Sequence, residues 1–193
     1  MTHAASWVGE WTTAPVAVQA LENGSLVVEA IEKSDAWRTT SYGFTLHTAH
    51  ALVAPFEEGK AIDVVFTADY TRKFDQAGLF IEASESEWIK AGVEFSDGAP
   101  QLGAVVTRTM SDWSVTPRPD MAGQRIRVRA SWTGDAITLR AGIDGQPLSL
   151  LRLAPWTPTC PVRAGLYLCA PSRSGLKVTF HECSVGEPDV SLH

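Results

Sequence analysis

The residues best equipped for chemistry fall in four short stretches. Trp37 and Arg38 come first, in Asp35-Ala36-Trp37-Arg38-Thr39-Thr40. Asp75 and Gln76 follow in Phe74-Asp75-Gln76-Ala77-Gly78-Leu79-Phe80-Ile81-Glu82. Trp88, Lys90 and Glu94 lie in Trp88-Ile89-Lys90-Ala91-Gly92-Val93-Glu94-Phe95, and Asp112 and Trp113 complete the set. Flat aromatic faces beside amide, ammonium and carboxylate groups suit sugar recognition, because the apolar face of the ring stacks while the hydroxyls take hydrogen bonds. In that reading Lys90 and Glu94 bond hydroxyls or a carboxylate, and Trp113 stacks.

Glu94 is the candidate acid or base. Glycoside hydrolysis needs two carboxylates about 5–5.5 Å apart for retention, or roughly 6.5–9.5 Å for inversion. Glu82 shares a strand face with Glu94 but lies about 20 Å from it at strand rise. Asp75 or Asp112 would partner Glu94 only through loop geometry, and the ExDxxE strand of jelly-roll glucanases is absent. A lyase needs a Tyr or His base near a cation, which points to Tyr42, His47 and His50 with Arg38 and Lys90. Two histidines three apart on a strand project to opposite faces, however. No carboxylate–His cluster has metal-ligand spacing, and no cofactor is called for. A further alternative involves no ligand at all: Lys90, Gln76 and Glu94 balance one another in a polar network on a sheet face.

The elements that position these residues are strands. Ala77, Leu79, Ile81 and Ala83 alternate with Gln76, Gly78, Phe80 and Glu82, and Ile89, Ala91, Val93 and Phe95 alternate with Trp88, Lys90, Gly92 and Glu94. Period-2 alternation reads as half-buried strand. With Ser84-Glu85-Ser86-Glu87 as the connecting loop, the hairpin register sets Gln76 opposite Glu94, Gly78 opposite Gly92, Phe80 opposite Lys90 and Glu82 opposite Trp88. Paired strand glycines mark close approach of a ligand or of another backbone. More than ten short strands, separated by turns such as Asn23-Gly24, Asp97-Gly98 and Asp144-Gly145, specify an all-β sandwich or barrel with no long helix. The alternation of the central hairpin fits two antiparallel sheets, one of them concave. The chain is expected to form a single domain over residues 1–193, with its core at about 7–186.

Composition bounds the function. Of 193 residues, 45% are hydrophobic and 20% charged, an ordinary globular balance. A net charge of −6 argues against nucleic-acid and anionic-membrane partners. Arg125, Arg127 and Arg129 share one strand face and read as solvated. Three cysteines outside any CxxC spacing, Cys160, Cys169 and Cys183, read as reduced, buried thiols of a cytoplasmic protein. Met1-Thr2-His3-Ala4-Ala5-Ser6-Trp7 lacks the basic and apolar regions of a signal peptide. No stretch approaches the length of a membrane span.

Four segments in order carry a resemblance: Trp37 to Phe44, Phe74 to Leu79, Trp88 to Glu94, and Ser111-Asp112-Trp113-Ser114. Together they are similar to the domain-of-unknown-function 1349 family, also called the regulation-of-enolase protein group. The resemblance implies a concanavalin A-like jelly roll and no established reaction. Three functions therefore stand: binding of a carbohydrate or polar metabolite on the concave face; a glycoside hydrolase or lyase using Glu94 as acid or base; and a non-enzymatic module that grips a protein partner such as a metabolic enzyme.

Overall fold

The structure is a computed structural model and describes residues 7–192. The reading of residues 1–6 lies outside the described residues. The strands are β1 (Glu10–Trp11), β2 (Ala17–Ala20), β3 (Leu26–Glu29), β4 (Ala36–Arg38), β5 (Thr45–His47), β6 (His50–Pro55), β7 (Lys60–Ala68) and β8 (Gln76–Ser84). They continue as β9 (Glu87–Ser96), β10 (Ala99–Arg108), β11 (Met110–Pro117), β12 (Ile126–Thr133), β13 (Ala136–Ile143), β14 (Ser149–Pro155), β15 (Arg163–Cys169) and β16 (Lys177–Gly186). One short 3-10 turn covers Pro119–Met121.

Two antiparallel seven-stranded sheets form a sandwich, with orders β1-β6-β15-β8-β9-β10-β11 and β14-β13-β12-β7-β16-β3-β2. Alternation on the central strands builds the core between them. Leu79 and Ile81 of β8 and Ile89, Ala91 and Val93 of β9 face Ile62, Val64 and Phe66 of β7, all buried in one cluster. Apart from Ala91, each of these side chains contributes roughly 1.5–3 kcal/mol by leaving water.

The central hairpin pairs in the register its alternation specifies: Gln76 with Glu94, Gly78 with Gly92, Phe80 with Lys90 and Glu82 with Trp88. A bulge after Glu82 then brings Ser84 opposite Glu87. The glycines form a row across three strands, because Gly92 also pairs with Gly103 of β10. What approaches them is backbone: a methyl on Gly78 would lie 2.0 Å from the Ala91 carbonyl oxygen, and one on Gly92 would lie 2.1 Å from that of Ala77.

The outer face of the β8–β9 sheet departs from the expectation of an open polar surface. The β4–β5 hairpin forms a separate two-stranded sheet, and its Ala36 and Trp37 pack onto that face. Phe80, Trp88, Val105, Tyr167 and Cys169 are buried with them in a second apolar cluster. The alternating pattern therefore hides two apolar layers, one on each side of the same strands.

Two further readings are corrected. Arg127 and Arg129 are not simply solvated. They are half-buried in an ion-pair network on the opposite sheet, where Arg127 meets Asp144 and Glu182, each at 2.9 Å, and Arg129 meets Asp63 and, at 2.8 Å, Asp189. The thiols are all unpaired, and Cys169 is buried, but Cys160 is exposed.

The glycine row yields a test. Gly92→Ala is expected to destabilise the fold by about 1–3 kcal/mol through forced strand separation. Gly186→Ala, where nothing lies within 4 Å of the added methyl, should stay within about 0.5 kcal/mol of the parent. Urea unfolding midpoints of the two variants measure the contrast.

Candidate functional site

Lys90 points from the middle of β9 into the layer beneath the β4–β5 hairpin and is only 4% exposed. Its Nζ donates to Asp35 Oδ1 at 2.9 Å and to Gln76 Oε1 at 2.8 Å. Gln76 Nε2 donates to the same Asp35 oxygen at 3.4 Å. Burial alone would lower the Lys90 ammonium, but the ion-paired Asp35 carboxylate outweighs it and holds the group above its ordinary value.

Asp35 is delivered by a clamped segment. The Ile31 N–H donates to His50 Nε2 at 3.0 Å, and His50 Nδ1 lies 3.0 Å from the Thr13 carbonyl oxygen. His50 is thus a neutral structural ring, and burial keeps its pKa below the usual value. Ser34 Oγ donates to the Ile31 carbonyl and accepts the Ala170 N–H, while the Asp35 N–H donates to Thr48 Oγ1. The Ala36 N–H donates to Asp35 Oδ1 at 2.8 Å.

Beside this ion pair opens a cavity of about 390 Å³. Gln76, Lys90, Glu94 and Asp35 supply its polar lining, and Trp37, Tyr42, Phe44, Phe74 and Trp113 supply its aromatic lining. Trp37 stands edge-on to Trp113 at 6.2 Å and to Tyr42 at 5.4 Å, and Tyr42 stacks on Phe44. The Trp37 indole N–H is occupied by the Thr40 carbonyl. Trp113 remains 37% exposed at the rim. Glu94 differs from the rest of the lining, because its Oε1 is buried and has no hydrogen-bond partner. Burial pushes its carboxyl up to about 7; Lys90 opposes the shift, and Asp35 and Asp97 add to it.

Of the residues singled out in the sequence, Trp37, Gln76, Lys90, Glu94 and Trp113 line this cavity. The other four lie elsewhere. Arg38 braces the hairpin, donating from Nε to the Thr109 carbonyl at 3.0 Å and from its backbone N–H to Ser111 Oγ. Asp75 is fully buried, taking the Thr71 and Arg72 N–H groups and the Arg173 guanidinium, so it ties two loops together. Asp112 is exposed and bridges to Arg152 at 2.6 Å, joining the edge strands β11 and β14. Trp88 is fully buried, stacked on Phe80 at 5.7 Å. Asp35 escaped the sequence reading. Its available signal was indirect: a lysine between buried strand neighbours requires a carboxylate partner.

A second polar cavity, of about 300 Å³, lies against the other end of the β8–β9 hairpin. There buried Glu82 meets His47 at 3.4 Å and the Arg163 guanidinium. Burial would raise the Glu82 carboxyl, but His47 and Arg163 overcome it and hold it below the usual value. Glu82 and Glu94 thus occupy separate cavities. His47 and His50 do not converge, and among the described residues no group of three potential ligands could hold a metal ion.

Two measurements check this electrostatics. Lys90→Met should cost about 3–5 kcal/mol, because it strands the Asp35 carboxylate, and adding Asp35→Asn should recover part of the loss. Glu94 has a native pKa of about 7 against 4.5 for the free group, so the folded state holds the extra proton. Its stabilising contribution is full below pH 4.5 and is lost as pH rises through about 7. Unfolding midpoints should fall across that window, and Glu94→Gln should flatten the slope.

The comparisons agree with this architecture. Residues 11–188 match the family described as protein of unknown function DUF1349. "Regulation of enolase protein 1" of Saccharomyces cerevisiae is 34% identical over 180 residues, covering 93% of this chain and 90% of that one. A crystal structure of a functionally unknown Saccharomyces cerevisiae protein, also 34% identical, superposes with a TM-score of 0.87 over 93% of this chain and 96% of its own. Likeness of fold alone extends to the alginate lyase of Klebsiella pneumoniae, with a TM-score of 0.62, 11% identity, and coverage of 88% of this chain and 84% of the lyase. It also extends to the Bacteroides ovatus protein described as Xyloglucan PUL GH43B, with a TM-score of 0.65, 12% identity, and coverage of 85% and 33%. With a family match spanning nearly the whole sandwich and a full-length relative at this identity, the chain belongs to the DUF1349 family.

Proposed function

We propose that the protein binds a carbohydrate or a sugar-like polar metabolite in the cavity between the β4–β5 hairpin and the β8–β9 sheet. The observation that carries this reading is the meeting of aromatic walls with a hydrogen-bonding floor in one space of about 390 Å³. That volume lies within the roughly 300–1,000 Å³ typical of small-molecule sites. Trp113 and Tyr42, partly exposed at the mouth, offer ring faces to a pyranose. The unpartnered Glu94 oxygen offers a hydroxyl the bond that the protein itself does not supply.

The fold-level likeness to proteins whose names refer to xyloglucan and alginate supports the ligand class by analogy. Three unpaired thiols fit a reducing, cytoplasmic setting. The sequence's own net charge of −6 weighs against nucleic acid as a ligand.

A thermal-shift screen against mono- and oligosaccharides, sugar acids and sugar phosphates tests the reading. A ligand at 100 times its dissociation constant should stabilise the protein by about 2.7 kcal/mol. The shift should shrink in Trp113→Ala and in Glu94→Gln. A screen without a single shift, or a shift indifferent to both substitutions, would overturn the assignment.

A further inference from the structure

The cavity holds two carboxylates in opposite surroundings. Asp35 concentrates its partners on one oxygen: Oδ1 accepts from the Lys90 ammonium, the Gln76 amide and the Ala36 N–H. Among the described residues its Oδ2 takes no hydrogen bond. Glu94 has neither an ammonium nor a backbone N–H on its buried Oε1. Of the charged groups around it, Lys90 and Lys73 favour its ionised form, while Asp35 and Asp97 oppose it. Tyr167 and Cys169, both buried nearby, are themselves pushed up by burial and so bring no charge. Glu82, in the other cavity, shows the contrast: Arg163 and His47 close it off as a salt-bridged carboxylate.

We propose, resting on the carbohydrate reading above, that this cavity hydrolyses a glycosidic bond, with Glu94 as the proton donor and Asp35 as the proton acceptor. One carboxylate gripped by an ammonium, an amide and a backbone N–H, and another whose buried oxygen has no donor, have the division of labour such a reaction needs. The Glu94 carboxylic acid gives its proton to the glycosidic oxygen as the bond from that oxygen to the anomeric carbon breaks, and the bonding pair stays on the departing oxygen. Water adds to the anomeric carbon and passes a proton to Asp35 through its free oxygen. The products are two hydroxyl compounds, and solvent exchange returns the proton from Asp35 to Glu94. Lys90 and Gln76 are positioning residues, because they fix the Asp35 carboxylate through its other oxygen.

The test uses the full chain with unsubstituted di- to tetrasaccharides and with dinitrophenyl glycosides of the same sugars. Binding is read by thermal shift, and cleavage by newly formed reducing ends or released dinitrophenol, between about pH 4 and 8. The parent should release reducing ends at a rate that falls as pH rises through about 7. Glu94→Gln should lose at least about 100-fold on the oligosaccharide yet little on the dinitrophenyl glycoside, whose leaving group needs no proton. Asp35→Asn should lose activity on both. The leaving-group comparison in Glu94→Gln stands even if Asp35→Asn fails to fold. Saccharide binding without cleavage overturns the catalytic proposal and leaves the binding reading intact. No binding and no cleavage overturns both. Equal loss on both substrates in Glu94→Gln, or an unsaturated sugar as product, removes Glu94 from the role of acid in hydrolysis.

Discussion

A lysine ammonium placed on the middle of a buried strand governs this side of the molecule. Lys90 has Ile89 and Ala91 in the sandwich core, so β9 cannot turn it toward solvent without turning its neighbours out of the core. An unpaired buried ammonium costs several kcal/mol. Asp35 meets that requirement, and much of the surrounding structure follows from bringing Asp35 there. The segment before it is pinned by His50 and Ala170, and the strand after it lays Trp37 over Phe80, Trp88 and Tyr167. The same contact creates the cavity, because its walls are the hairpin that Asp35 anchors and its floor is the sheet that carries Lys90.

The sandwich was largely legible from the chain. Alternation on β8 and β9 gave the correct faces, and matching like faces gave the correct register. The burial of the outer face was not legible, since period-2 alternation reports which residues share a side and says nothing of what covers it. Phe80 and Trp88 share that side with Lys90 and Glu94, and only the tertiary placement of β4 and β5 makes it a second core. Asp35, forty-one residues before Gln76, joins the site through a long-range contact that local pattern does not encode. Asp75, Asp112 and Arg38 have the right chemistry for a site but spend it on loops and edges, where carboxylate–arginine pairs and carbonyl contacts close the fold.

Glu94 stands apart from those residues because nothing in the protein satisfies it. Folded proteins seldom bury a side-chain oxygen without a partner, and where one occurs in a cavity it is a natural point of contact for a small molecule. The aromatic rings around it come from three separate parts of the chain: the β4–β5 hairpin, the turn before β8 and strand β11. Family membership accounts for the architecture that gathers them, while the chemistry resides in these few side chains.

The loop at the tip of the β4–β5 hairpin bears on how such a ligand would be received. Thr39, Ser41 and Gly43 all adopt left-handed backbone angles, with φ of 55°, 62° and 74°. For Thr39 and Ser41 that conformation costs on the order of 1–3 kcal/mol each. Folding meets this cost through Phe44, whose carbonyl receives the Thr39 N–H, and through the Trp37 indole bonded to Thr40. Tyr42 and Phe44 are therefore held at the cavity mouth by the hairpin's own bonds and by their mutual stacking. A guest entering there surrenders its own freedom of motion but need not freeze that of its host, and such preorganisation favours tight association from a modest number of contacts.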